Sequence, residues 1–126
     1  MPIRLGICDD KESFRRMLAM CLAVEPDIEV IGEAADGAEA IQLAERESPD
    51  VMLLDVAMPV MDGIEALPQL RLASPGTVVV MLSGFASRTI ADEALAAGAW
   101  RFIEKGTSLP EILDAVRAAF AERSVV

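Results

Sequence analysis

A chain of 126 residues with a formal charge of −10 and no histidine is one domain's worth of sequence. Its charge excludes direct binding to nucleic acid or to an anionic membrane surface, since both rest on clustered Lys and Arg. The absence of histidine removes imidazole acid–base chemistry and histidine metal sites, so any bound cation must be held by oxygen, as Mg²⁺, Mn²⁺ and Ca²⁺ are.

Apolar residues make up 53% of the chain, with no tyrosine and a single tryptophan. That composition excludes disorder, and its aliphatic bias suits buried parallel strands covered by helices. Ile3–Cys8 is an apolar run that stops at Asp9-Asp10, and the spacing of Phe14, Met17, Leu18, Cys21 and Leu22 predicts a helix that Pro26 ends. Ile28–Ala34 reads as a second strand, and Asp36 with Glu39 as a capping box for a helix to about Arg46. Val51–Val56, apolar except for Asp55, is the clearest buried strand. Asp62-Gly63 opens a third helix carrying Ile64, Leu67 and Leu70, in which Pro68 predicts a kink or a late start. Thr77–Leu82 is the fourth strand, and the helix after it ends at Gly98, a C-terminal cap. Trp100–Glu104 is the fifth strand. Ser108 and Glu111 cap a last helix with Ile112, Leu113, Val116 and Phe120 on its apolar stripe.

Strand–helix units joined by short loops imply one α/β domain over residues 1–126, its parallel sheet covered on both faces. Cys8 and Cys21 fall in apolar patterns and read as small buried hydrophobes rather than a disulfide framework. With no signal peptide or membrane span in view, the expected location is the cytoplasm.

Ligands of an open parallel sheet collect beyond the carboxyl ends of its strands. Those ends carry Asp9-Asp10, Asp55, Ser83-Gly84 and Lys105. Each has an ordinary alternative. An acidic pair favours a helix N-terminus, a strand-end Lys is solvated, and Ser and Gly serve turns. Asp55 is harder to dismiss, because an ionised carboxylate in an apolar strand is strongly disfavoured without compensation. Three carboxylates at one edge would repel one another. A divalent cation removes that conflict and turns the cluster into a phosphate site, with Lys105 as a further cation.

The segments I-C-D-D at 7–10, L-L-D-V-A-M-P-V-M-D-G at 53–63, M-L-S-G at 81–84 and F-I-E-K at 102–105 resemble the receiver domain of bacterial two-component response regulators over the whole chain. G-E-A-A-D-G at 32–37 looks like the branch often joined to a C-terminal helix-turn-helix. The resemblance implies a flavodoxin-like, doubly wound sheet of order 2-1-3-4-5 with five helices, and a signalling switch rather than a metabolic enzyme. It implies that Asp55 is the phosphoacceptor for a sensor histidine kinase, with Ser83 and Lys105 completing the reactive set. Mg²⁺, or Mn²⁺ in its place, would be held by Asp10, Asp55 and the Ala57 carbonyl, with Asp9 acting mainly through water. Ala57, Ser83, Gly84 and Lys105 would contact the phosphoryl group. Ser83 and Phe102 would form the switch that alters the surface of the fourth helix, fifth strand and fifth helix, with homodimer formation on phosphorylation.

Gly106 stands where the family often has proline, which predicts a looser loop into the last helix. By the family's pattern Ala57 and Phe85 would flank the acceptor, and neither has a polar group to orient water, which predicts a long-lived acyl phosphate. Trp100 and Phe102, two apart, are expected on one side of the fifth strand, with Trp100 near the partner surface or as a lid over the sheet edge. Met58 and Met61 read as loop and core filler. Three rivals remain. A haloacid-dehalogenase-type phosphatase needs D-x-D at the end of the first strand, and here the pair is adjacent. A flavodoxin-like cofactor binder needs a Ser/Thr/Gly-rich first loop, and here it is acidic. A degenerate docking receiver is at odds with the full acidic set.

Overall fold

The apolar runs become strands and the amphipathic stretches helices in strict alternation. The computed structural model describes residues 2–84 and 88–123. In chain order the elements are β1 (Ile3–Cys8), α1 (Glu12–Ala23), β2 (Ile28–Ala34), α2 (Gly37–Glu47), β3 (Val51–Asp55), α3 (Gly63–Ala73), β4 (Val78–Ser83), α4 (Arg88–Ala96), β5 (Arg101–Glu104) and α5 (Leu109–Arg123). The strands form one sheet of order β2-β1-β3-β4-β5, parallel throughout. The expected doubly wound sheet of order 2-1-3-4-5 is thus the observed one.

Alternation along each strand divides the core in two. Leu5, Ile7, Val51, Leu53, Val80 and Leu82 face the side covered by α1 and α5, where Leu18, Leu22, Ile112 and Val116 close over them. Cys8, Met52, Leu54 and Met81 face α2, α3 and α4, meeting Leu43, Leu67, Leu70 and Ala94. Both faces of β3 are therefore buried, which is why its sequence runs apolar without a break. Cys8 is fully buried, and burial pushes its thiol far above the usual range. Cys21 is only half-buried, because α1 turns it toward the rim of the core.

Caps and breakers act largely as the sequence predicts. The Asp36 carboxylate accepts from Glu39 N at 2.9 Å, although the Glu39 side chain reaches back to Ala35 N rather than to Asp36. Asp62 and Glu65 form a full capping box at 2.8 and 3.3 Å that fastens the start of α3. The helix then runs through Pro68 without a late start, with Pro68 on its exposed face. Gly98 terminates α4 at φ +113°, where a side chain would also run into Arg71.

Trp100 departs from expectation. It precedes β5, donating its N–H to Val79 O at 2.8 Å, and its ring packs with the α1/α5 half of the core. Phe102 packs against the opposite half. The two aromatics therefore do not share a side: the pleat begins only at Arg101, so two-residue alternation does not extend back to Trp100. The Arg101 guanidinium lies 4.5 Å from the centroid of the Trp100 ring, a cation–π contact.

Candidate functional site: an acidic pocket at the carboxyl edge of the sheet

Parallel register carries the chemistry-bearing residues to one edge. Cys8 pairs with Leu54 and Asp55 with Leu82, so one further step along β1 brings Asp9 level with Asp55. Ser83 pairs with Glu104, which places Lys105 just beyond the end of β4. Asp9, Asp10 and Asp55 each present a carboxylate oxygen, and those three oxygens lie within 4.8 Å of one another. Asp9 and Asp55 are buried, at 1% and 2% exposure, while Asp10 is open to solvent.

Lys105 is the counter-ion. Its Nζ sits 2.7 Å from Asp9 Oδ2 and 3.2 Å from Asp55 Oδ2. Its ammonium also lies 5.0 Å from the centroid of the Phe14 ring on α1. Burial works against the charge on Lys105, but the two carboxylates outweigh it and raise its pKa. Burial likewise pushes Asp55 up, and Asp9 adds to the shift. Lys105 and the Ala57 N–H oppose them, and the balance leaves Asp55 at about 6.

One cation is too few for this pocket. Asp9 Oδ1 accepts from Lys11 N at 2.8 Å, but the buried Asp9 Oδ2, although close to the ammonium, receives no aligned hydrogen bond among the described residues. A buried carboxylate oxygen without a directed donor, beside two further carboxylates and no histidine, is a donor set that fits a hard divalent cation.

Ala57, Ser83 and Gly84 lie at the same edge of the sheet, while Phe102 packs against the core beside α4. Ala57 is exposed beside the acceptor, its N–H 3.4 Å from Asp55 Oδ1, and Ser83 is buried at the end of β4. Gly84 is exposed, and among the described residues a Cβ on it would meet only Lys105 Cδ, at 3.8 Å. Phe102 is half-buried on β5, facing the α4 side. A groove of about 660 Å³ lies between α4, β5 and α5, lined by Arg88, Phe102 and Asp114 among others. Met58 is core filler as expected, while Met61 is half-buried and accepts from Gly37 N at 2.9 Å through its carbonyl. Phe85 lies outside the described residues.

Three contacts of the setting are not read from the sequence, although Gly63 and Gly37 lie in the segments that carry the family resemblance. Gly63 donates to Val56 O at 2.8 Å, and any side chain there would collide with the Asp55 carbonyl. Gly37 abuts Met61 in the same way. Arg15, on α1, donates to the Asp9 carbonyl at 2.7 Å. The Gly37–Met61 contact joins segments distant in sequence, and the Gly63 and Arg15 contacts close short loops whose geometry no spacing rule reports.

Residues 5–117 match the family model described as the response regulator receiver domain. The chain belongs to that family. This receiver domain is 43% identical over 117 residues to the transcriptional regulatory protein LiaR of Bacillus subtilis, a match covering 93% of the chain and 56% of LiaR. It therefore spans little more than half the length of that relative. Among solved structures it is similar to the response regulator domain of Thermotoga maritima CheB, with TM-score 0.88, 36% identity and coverage of 96% of this chain and 98% of that one. It is also similar to a chain of the CheX–CheY–BeF₃–Mg²⁺ complex of Borrelia burgdorferi, with TM-score 0.87, 28% identity and coverage of 95% and 90%. Membership sets aside the phosphatase and cofactor-binder readings. The receiver domain is a signalling module of two-component systems, and none of its described helices is long and apolar enough to cross a membrane.

Proposed function

We propose that this receiver domain takes a phosphoryl group from the phosphohistidine of a sensor kinase onto Asp55. The observation that carries the reading is the convergence of Asp9, Asp10 and Asp55 within 4.8 Å, with Lys105 bridging two of them. An Asp55 oxygen forms the new P–O bond as the P–N bond to the kinase imidazole breaks. With its pKa at about 6, Asp55 is largely ionised at pH 7 and able to attack. Asp10, Asp55 and the Ala57 carbonyl would hold Mg²⁺ or Mn²⁺, with Asp9 acting mainly through water. Such a cation, when bound, would supply neutralisation of charge on the phosphoryl oxygens.

Lys105 then leaves its carboxylate partners for a phosphoryl oxygen, Ser83 donates to another, and Gly84 leaves room for the group. Movement of Ser83 toward the phosphate lets Phe102 turn inward and reshapes the α4–β5–α5 groove, which favours a phosphorylation-dependent homodimer. The BeF₃ and Mg²⁺ named in the Borrelia complex support a phosphoryl-and-metal site on this fold. LiaR, longer and named as a transcriptional regulator, supports an output through a DNA-binding region in a longer parent rather than through this acidic domain. Ala57 beside the acceptor offers no polar side chain to orient water, which favours a long-lived acyl phosphate.

Incubation with acetyl phosphate and Mg²⁺ followed by intact mass tests the reading. The expected result is one added phosphate, lost in Asp55→Asn and in the presence of a chelator. Phosphate retained by Asp55→Asn would overturn the assignment.

A further inference from the structure

We infer that Arg15 is a positioning residue for the acidic pocket, gripping the peptide between Asp9 and Asp10 so that Asp10 is aimed at the cation. The inference rests on the metal site proposed above.

Two residues connect the end of β1 to Lys11, the N-cap of α1. That N-cap makes no side-chain capping bond. The short link is held at its start by Asp9 N donating to Ala34 O at 3.0 Å, and across its turn by Lys11 N donating to Asp9 Oδ1 at 2.8 Å. Neither bond fixes the Asp9–Asp10 peptide itself. Arg15 does: its Nη1 donates to the Asp9 carbonyl at 2.7 Å. A peptide is planar, so holding that oxygen sets the Asp10 N–H and Cα as well. Asp10 needs such support, since its exposed side chain makes no hydrogen bond or ion pair among the described residues.

The arginine is itself anchored. Its Nε lies 2.9 Å from Glu33 Oε1 on β2, and its side chain is 14% exposed. Glu33 also offsets part of the guanidinium charge, which weakens its repulsion of an incoming cation. Arg15 thus joins α1, the carboxyl end of β1 and β2 around the pocket without touching the carboxylates.

Charge and geometry predict opposite signs on removing this cation. If Arg15 acted only through its field, Arg15→Gln would tighten Mg²⁺ binding by deleting a like charge. If it aims Asp10, Arg15→Gln weakens it, and loss of such supporting partners typically lowers metal affinity by about tenfold or more.

The experiment is calorimetric titration of the intact protein with Mg²⁺ alone, for wild type, Arg15→Gln and Arg15→Lys, with thermal unfolding in EDTA to compare the metal-free folds. The expected result is Mg²⁺ affinity about tenfold lower for Arg15→Gln and intermediate for Arg15→Lys, which keeps a donor. Phosphorylation by acetyl phosphate should require correspondingly more Mg²⁺ for half-saturation and climb toward wild type as Mg²⁺ is raised. Should Arg15→Gln not fold, the comparison of Arg15→Lys with wild type decides. Unchanged or tighter Mg²⁺ binding in the variants, with wild type binding normally, overturns the role of Arg15 and leaves the metal site standing. Wild type that takes up no Mg²⁺ overturns both.

Discussion

Asp55→Asn keeps the shape of the acceptor side chain and deletes its charge, and the metal-free pocket sets the sign of the result. Asp55 rises from an ordinary 3.8 to about 6 on folding. A carboxyl with a raised folded pKa stabilises the fold below its ordinary pKa, and that stability is lost as the pH climbs through the folded value. At about 1.4 kcal/mol per pH unit, a shift of roughly 2 units is at most about 3 kcal/mol at pH 7; solvent at the open edge of the pocket screens this to about 1–2. Removing the charge does not strand Lys105, which keeps Asp9 at 2.7 Å. In EDTA at pH 7, Asp55→Asn should therefore unfold about 3–6 °C above wild type. The advantage should fade toward pH 4, where both side chains are neutral.

Mg²⁺ should erase or invert the gap. A cation at a hundredfold over its dissociation constant stabilises by about 2.7 kcal/mol, and wild type offers it one carboxylate more than the variant does. Scanning calorimetry of both proteins from pH 4 to 8, with EDTA or Mg²⁺, reads every arm. An Asp55→Asn protein less stable than wild type at pH 7 in EDTA, or an advantage independent of pH, would refute the electrostatic account of the pocket.

Three further perturbations follow from the geometry. Lys105→Met leaves Asp9 and Asp55 facing each other without a cation, and should destabilise the metal-free protein at pH 7 by about 1–3 kcal/mol in urea unfolding, with Mg²⁺ recovering part of the loss. Val60 is 86% exposed and sits at φ +67°, a left-handed conformation that strains a β-branched residue. Val60→Asn should raise the urea midpoint by an amount worth about 1 kcal/mol, and a lowered midpoint would contradict the strain assigned there. Gly37→Ala drives a Cβ into the Met61 carbonyl and side chain and should cost about 2–4 kcal/mol. Unchanged stability would mean that α2 and the β3–α3 loop separate freely.

The sequence by itself determined the order and kind of the elements, because hydrophobic period, caps and breakers are local. The unbroken run at Val51–Val56 marked a strand buried on both faces, Asp36 and Asp62 marked helix starts, and Gly98 a helix end. It also put the charged residues at the carboxyl ends of the strands, while their roles came from the resemblance. Strand ends moved by a residue, and Trp100 was misjudged because alternation holds only where the backbone is pleated. Tertiary structure alone decided what holds the pocket in shape: the Lys105 bridge from Asp9 to Asp55, the close approach of Gly63 to the Asp55 carbonyl, and Arg15 on the Asp9 carbonyl. The Lys105 bridge joins strands far apart along the chain, while the Gly63 and Arg15 contacts close short loops whose geometry no periodicity reports. Parallel crossovers bring Lys105 to Asp9 and Asp55 only once the sheet has formed.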